Sequence, residues 1–199
     1  MVDLSELIEF KVLGSNQNKK QIIITETKRD YKKYINSLKY RYNKKNPYLP
    51  NYVVSKNGEV FQIMKPENFS SFMSDSEIDR NSIVVALENN GWLRKNALNN
   101  TYTNWIGDIY KEEVFEKKWR DEIFWDKYEK KQVDELSKLL IELCNKFEIP
   151  KSCVETNVKQ DGVEKYNGIT SKSNFDFIHK DVNPSFDFKL LKKKLENDK

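Results

Sequence analysis

Hydrophobic positions along the chain alternate between short unbroken runs and helical spacings. Residues 20–27, "KQIIITET", place three isoleucines in a row before polar residues, the pattern of a short strand buried on both faces. "KRDYKKYINSLKYRYNKKN" follows, with Tyr31, Tyr34, Ile35, Leu38 and Tyr42 at helical spacing, and Thr27 is the expected cap of that helix. "NYVVSKNGEVFQIM" reads as a hairpin about Asn57-Gly58, and "NSIVVALENNG" as a second buried strand that leaves through Glu88-Asn89-Asn90-Gly91. "KQVDELSKLLIELCNKFEIP" is the clearest helix, with Val133, Leu136, Leu140, Leu143, Cys144 and Phe147 on one face and Pro150 closing it. "NGITSKS" reads as a last strand. "PSFDFKLLKKKLEN" reads as a closing helix with Phe186, Leu190 and Leu191 inward.

Between the second strand and the long helix the pattern breaks down. Residues 92–130 read as an irregular, aromatic-rich excursion carrying Trp92, Tyr102, Trp105, Tyr110, Trp119, Phe124, Trp125 and Tyr128. An insertion of that length in a compact domain is often functional. Its aromatics form either a satellite core or a recognition surface, where Arg94 and Arg120 would be anchors beside the Trp and Tyr rings. No repeat or linker divides the chain, so residues 1–199 are expected to form one α/β domain with a central mixed β-sheet flanked by helices.

Composition narrows the function classes more than the fold. The 35 Lys and Arg against 31 Asp and Glu leave a net charge of +4 with the signs interspersed, so a nucleic-acid partner is not expected. The tail "KLLKKKLENDK" reads as a solvated helix face. No run approaches the roughly 18 apolar residues of a membrane span. "MVDLSELIEFKVLGS" lacks the basic and apolar regions of a signal peptide, so a cytoplasmic protein is expected, and a phage-encoded origin fits as well. Cys144 and Cys153 suit a reducing compartment as buried free thiols, and neither has a partner at zinc-ligand spacing.

The order of "IIITET", "NYVVSKNGEVFQI", "NSIVVALENNG", "YTNWIGDIY", "LLIELCNKFEIP", "GITSKSNF" and "DVNPSFDF" resembles the type 2 N-acetylmuramoyl-L-alanine amidases, zinc hydrolases related to peptidoglycan recognition proteins. The likeness spans roughly residues 20–195 and is greatest to phage-type members. It implies an amidase-like sheet with a zinc ion held by two histidines and a third ligand, plus a catalytic glutamate. Carried over by position, the first ligand falls on Thr25 and the second on Lys172, with Ser171 and Ser173 one residue either side. The third falls on Asn183, the glutamate on Ala86, and the supporting lysine on His179 or Lys180. Glu88 matches a second, structural glutamate. Neutral Thr and Asn oxygens bind zinc weakly and an ammonium repels it, so no zinc cofactor is expected.

What remains in these positions points to binding. His179, the one histidine of the chain, reads as a rim residue in a polar turn. A cation site of Asp176, His179 and Asp181 is an alternative. Lys172 at a former ligand position would need an anionic partner, and Glu26 on the neighbouring strand is the candidate. A Ser-Lys pair from Ser171 or Ser173 with Lys172 is disfavoured, because neighbours on a strand face opposite ways. The expected ligand site is therefore Glu26, Lys172, His179, Lys180, Arg94, Trp105 and Arg120. The resemblance implies peptidoglycan fragments with acidic stem peptides, or another small anionic molecule, as its occupant. A protein partner and a hydrolase with a rebuilt site are the other two readings.

Overall fold

The protein is described by a computed structural model covering residues 1–4, 12–43 and 48–197, without the side chains of 39 and 41–43. The chain opens with β1 (Val2–Asp3), β2 (Gly14–Ser15) and β3 (Gln21–Glu26), then α1 (Tyr31–Asn43). The hairpin about Asn57-Gly58 forms as β4 (Tyr52–Val54) and β5 (Val60–Gln62), with Gly58 at φ 83°, a left-handed turn that favours glycine. Next come β6 (Asn68–Phe69), α2 (Ser76–Asn81) and β7 (Ser82–Leu87).

Six strands make the central sheet in the order β1-β5-β4-β7-β3, ending on β13 (Gly168–Ser171). It is mixed: β3 runs parallel to both β7 and β13, while β4 and β5 are antiparallel. Every residue of β3, β7 and β13 is buried, which is why these strands read as unbroken apolar runs rather than alternating ones.

Period-two alternation then divides the sheet between two helical layers. Ile22, Ile24, Ile83, Val85 and Leu87 pack on α3 (Lys130–Phe147) and α4 (Phe188–Glu196); Val53 and Ala86 pack with Tyr34, Ile35 and Leu38 of α1. The six apolar residues expected on one face of α3 are all buried there. That helix stops where Glu148 adopts a left-handed φ of 55°, two residues before Pro150. In α4, Leu191 and Leu195 are buried and Leu190 only partly; the helix starts four residues later than its pattern suggests, capped by Asp187 on the Leu190 amide at 2.9 Å.

Three expectations need correction. Asp30, not Thr27, caps α1, since the Lys33 amide bonds to Asp30 Oδ1 at 3.0 Å while the Thr27 hydroxyl donates to the Arg29 carbonyl. The aromatic excursion is not irregular. It folds as β8 (Trp92–Asn96), β9 (Thr101–Thr103), β10 (Ile109–Tyr110), β11 (Val114–Trp119) and β12 (Glu122–Asp126), a five-stranded sheet in the order β10-β9-β8-β12-β11. Its strands do not alternate cleanly: β8 runs from half-buried Trp92 and buried Leu93 to exposed Arg94, Lys95 and Asn96, and β12 ends on the buried pair Trp125 and Asp126. Trp125 is fully buried, 5.4 Å from Trp119, so part of the aromatic set is a satellite core. Of the two free thiols, Cys144 is buried and Cys153 only half-buried. The inward position expected for Tyr42 lies outside the described side chains, and residues 5–11 of the N-terminal stretch, 44–46 of the expected first helix and the last two of the basic tail lie outside the described residues. Among the described residues no helix is long and apolar enough to cross a membrane.

Candidate functional site

Parallel strands deliver side chains to a crevice beyond their carboxyl ends. Here β3 runs out through Thr25 and Glu26 into Thr27, Lys28 and Arg29, β7 into Glu88–Gly91, and β13 into Lys172. The result is a cleft of about 490 Å³. Thr25, Glu26, Lys28 and Asp181 line its floor, Arg29, Lys172 and His179 its rim, and Tyr34, Tyr48, Phe72, Trp92 and Trp105 its walls.

The floor is a buried ion cluster. Lys28 Nζ lies 2.5 Å from Glu26 Oε2, 3.4 Å from Asp181 Oδ1 and 3.2 Å from the Lys180 carbonyl. Glu26 Oε1 accepts from the Tyr128 hydroxyl and, at 2.7 Å, from the Asn183 amide. Asp181 Oδ2 accepts from the Thr25 hydroxyl. Burial raises the Glu26 carboxyl above its usual range, although Lys28 pulls the other way. For Asp181 the balance is reversed: burial would raise it, but Lys28, Lys172 and the Thr25 bond together hold it below the usual carboxylate range. Burial would likewise lower the Lys28 ammonium, yet Asp181 and Glu26 keep it raised.

Lys172 follows β13 in a short helical turn, and its Nζ stands 4.8 Å from the centre of the Phe72 ring. Its expected partnership with Glu26 is not formed; Lys28 takes that carboxylate, being two residues away on the same strand exit. Ser171 and Ser173 are buried with their hydroxyls 3.0 Å apart, and Ser171 bonds to Asn174 rather than to Lys172. His179 sits at the rim, its Nε2 3.4 Å from Asp176 Oδ2, with burial and then Lys172 lowering its pKa. Asp176 Oδ1 accepts the amides of Ile178 and His179, at 2.7 and 2.8 Å, while Asp181 turns to Thr25 and Lys28 instead of joining Asp176 and His179. Among the described residues no group of three or more His, Cys, Asp or Glu is arranged to hold a metal.

Other positions land elsewhere. Asn183 does not meet Thr25: its side-chain amide is buried against Asn89 and the Asp126 carbonyl at 2.9 and 3.0 Å, and Asp181 stands beside Thr25 instead. Ala86, level with Thr25 across the β3–β7 pair, faces the α1 core. Glu88 accepts the amides of Tyr31 and Lys56, at 3.1 and 2.7 Å. Arg120 is not open to a ligand, since its guanidinium donates to the carbonyls of His179 and Ser173. Lys180 is paired with Glu122 at 2.7 Å, and Arg94 is exposed, its guanidinium 4.8 Å from the centre of the Trp92 ring. Trp105 does face the cleft, its Nε1 donating to the Lys28 carbonyl at 2.7 Å with Arg29 over its ring.

Comparison with known families settles the relationship. The family model described as N-acetylmuramoyl-L-alanine amidase matches residues 15–175. The chain belongs to that family. Solved amidases share the fold at low identity. E. coli AmiD, in complex with the substrate anhydro-N-acetylmuramic acid-L-Ala-D-gamma-Glu-L-Lys, superposes with a TM-score of 0.57 at 15% identity, covering 94% of this chain and 61% of that one. The chain thus spans less than two thirds of AmiD. LysC and the endolysin LysCS of Clostridium intestinale URNW each superpose at 0.55 and 12% identity, covering 98% of this chain and 96% and 94% of theirs. A comparison with curated protein sequences finds no match.

Thr25 and Ser171 offer hydroxyls already bonded within the protein, Lys172 offers a cation, and an ammonium already lies between Glu26 and Asp181. Sequence reasoning missed Lys28, Arg29 and Phe72. The Lys-Arg pair directly after the "IIITET" strand was the available signal, because residues just past a parallel strand face the crevice.

Proposed function

We propose that this amidase-fold chain is a binding protein that takes a muropeptide in the cleft without a zinc-dependent hydrolytic step. The observation that carries the reading is the charge pattern inside an aromatic-walled crevice. Glu26 and Asp181 against Lys28 leave one net negative charge on the floor, while Arg29 and Lys172 stand positive at the rim over Trp105 and Phe72. A sugar ring suits the Trp walls, and a peptide bearing both carboxylates and an amine suits the two signs of charge. AmiD, of the same fold, has been solved with such a fragment.

The test is calorimetric titration with an anhydromuramyl tripeptide, followed by chromatography of the incubated mixture and metal analysis of the protein. Binding that survives chelator, with the fragment recovered whole, is the expected result. Zinc at one per chain with cleavage at the lactyl–alanine amide would make the chain an amidase with a rebuilt site. Absence of binding would overturn the reading. A second reading, docking on a protein partner, is favoured by Leu98, Ile109 and Ile123, exposed at 97%, 65% and 43% on the inserted sheet and its loops. Loss of a captured partner on Ile109→Asp, with muropeptide binding intact, would support it.

A further inference from the structure

Each buried carboxylate of the floor is held by one oxygen and aimed with the other. Tyr128 and the Asn183 amide hold Glu26 through Oε1, and Thr25 holds Asp181 through Oδ2. Glu26 Oε2, Asp181 Oδ1 and the Lys180 carbonyl then converge on one positive charge, the Lys28 ammonium, at 2.5, 3.4 and 3.2 Å. That is the layout of a cation site, in which outer groups orient the inner oxygens. The surrounding shape is fitted to the lysine as well. Gly91, at φ +72°, approaches so closely that a Cβ there would lie 3.0 Å from Lys28 Cδ and 3.3 Å from both Lys28 Nζ and Glu26 Oε2.

We infer that the floor is a cation site whose cation belongs to the chain: Lys28 supplies the charge, and removing its side chain opens the site to a divalent cation held by Glu26, Asp181 and the Lys180 carbonyl. The oxygen donors define the ligand class, a hard divalent ion such as Mn²⁺ with water completing its shell. A tethered ammonium cannot be exchanged or chelated, so the native floor keeps its geometry without metal supply. The inference is independent of which molecule the cleft takes.

The test compares wild type with Lys28→Ala in chelator and in Mn²⁺, reading thermal melting and the bound-ion resonance of Mn²⁺. Wild type is expected to be indifferent to the ion. Lys28→Ala, with two buried carboxylates left facing each other, should melt about 10 °C lower in chelator. It should regain part of that loss in millimolar Mn²⁺ while binding a single ion. Adding Asp181→Asn should abolish the binding. Should Lys28→Ala fail to fold, Lys28→Asn, shorter than lysine and neutral, carries the same comparison. Wild type that binds Mn²⁺ as tightly as the variant would overturn the inference, and so would a folded variant that binds none. Neither result depends on muropeptide binding, so this inference and the functional reading fail separately.

Discussion

The guanidinium of Arg120 donates to the Ser173 carbonyl at 3.0 Å, joining the tip of the β11–β12 hairpin to the loop that carries Lys172, His179 and Asp181. It also bonds to the His179 carbonyl, and Lys180 of the same loop pairs with Glu122 of the hairpin. The inserted sheet therefore buttresses one wall of the cleft. Arg120 itself sits at a left-handed φ of 46° to make that reach.

Replacing Arg120 with alanine should leave the central sheet intact and loosen the 172–181 loop. Two charge-assisted, part-buried bonds to backbone carbonyls are lost, so a stability cost of about 2–3 kcal/mol follows. Hydrogen exchange followed by mass spectrometry should show faster exchange confined to that loop and the hairpin tip. Unchanged exchange there would mean the clamp does not hold the loop.

Trp105→Ala and Trp125→Ala should behave oppositely, although both are tryptophans of the same insertion. Trp105 is 42% exposed and lines the cleft, so its loss should weaken muropeptide binding with little change in melting. Trp125 is fully buried with its Nε1 on the Lys117 carbonyl at 2.7 Å, so its truncation should cost about 3–5 kcal/mol. Denaturant unfolding and calorimetric titration on both variants check the contrast.

Gly91→Ala should be destabilising for two separable reasons. Its left-handed backbone costs a β-carbon about 1–2 kcal/mol, and the added methyl crowds Lys28 and Glu26. In a Lys28→Ala background the crowding against Lys28 is relieved, while the contact with Glu26 and the backbone cost remain. A double-mutant cycle of melting free energies should therefore give a coupling of about 1 kcal/mol or more. A cycle that closes to zero would place the effect in the backbone and the Glu26 contact, not in Lys28.

Asp79 gives the pH prediction. Burial on the inner side of α2 raises its pKa from 3.8 to about 6, with Asp75 adding to the rise while the amides of Met73, Asp75 and Phe72 offset part of it. A carboxyl raised in the folded state stays protonated after the unfolded chain has released its proton. Stability is therefore full below about pH 4 and falls as pH climbs to about 6. The loss is about 3 kcal/mol. Asp79→Asn keeps the acceptor for the Met73 amide, at 2.7 Å in the native chain, without the charge. It should melt like wild type at pH 4 and higher than wild type above pH 6, as differential scanning calorimetry across that range would record.

The main elements of the central fold were legible in the sequence because their signals are local. The isoleucine run of β3, the Asn57-Gly58 turn and the apolar face of α3 are each encoded within a few residues of one another. The inserted sheet was not, since its strands are short, carry charges at consecutive positions and pair with one another. The order of motifs was enough to place the chain in the amidase family and to mark Thr25, Lys172 and His179 near one crevice.

Which groups meet in that crevice was a tertiary decision. Register brings β13 level with β3, Ser171 opposite Ile24, and the returning chain then sets Asp181 against Thr25 and Lys28, more than 150 residues away in sequence. Lys172 and Lys28 look alike along the chain. They part only in three dimensions, where Lys28 reaches Glu26 past a glycine and Lys172 turns onto Phe72. A charge's partner depends on distance through a folded, water-poor space, and no local pattern of residues encodes that distance.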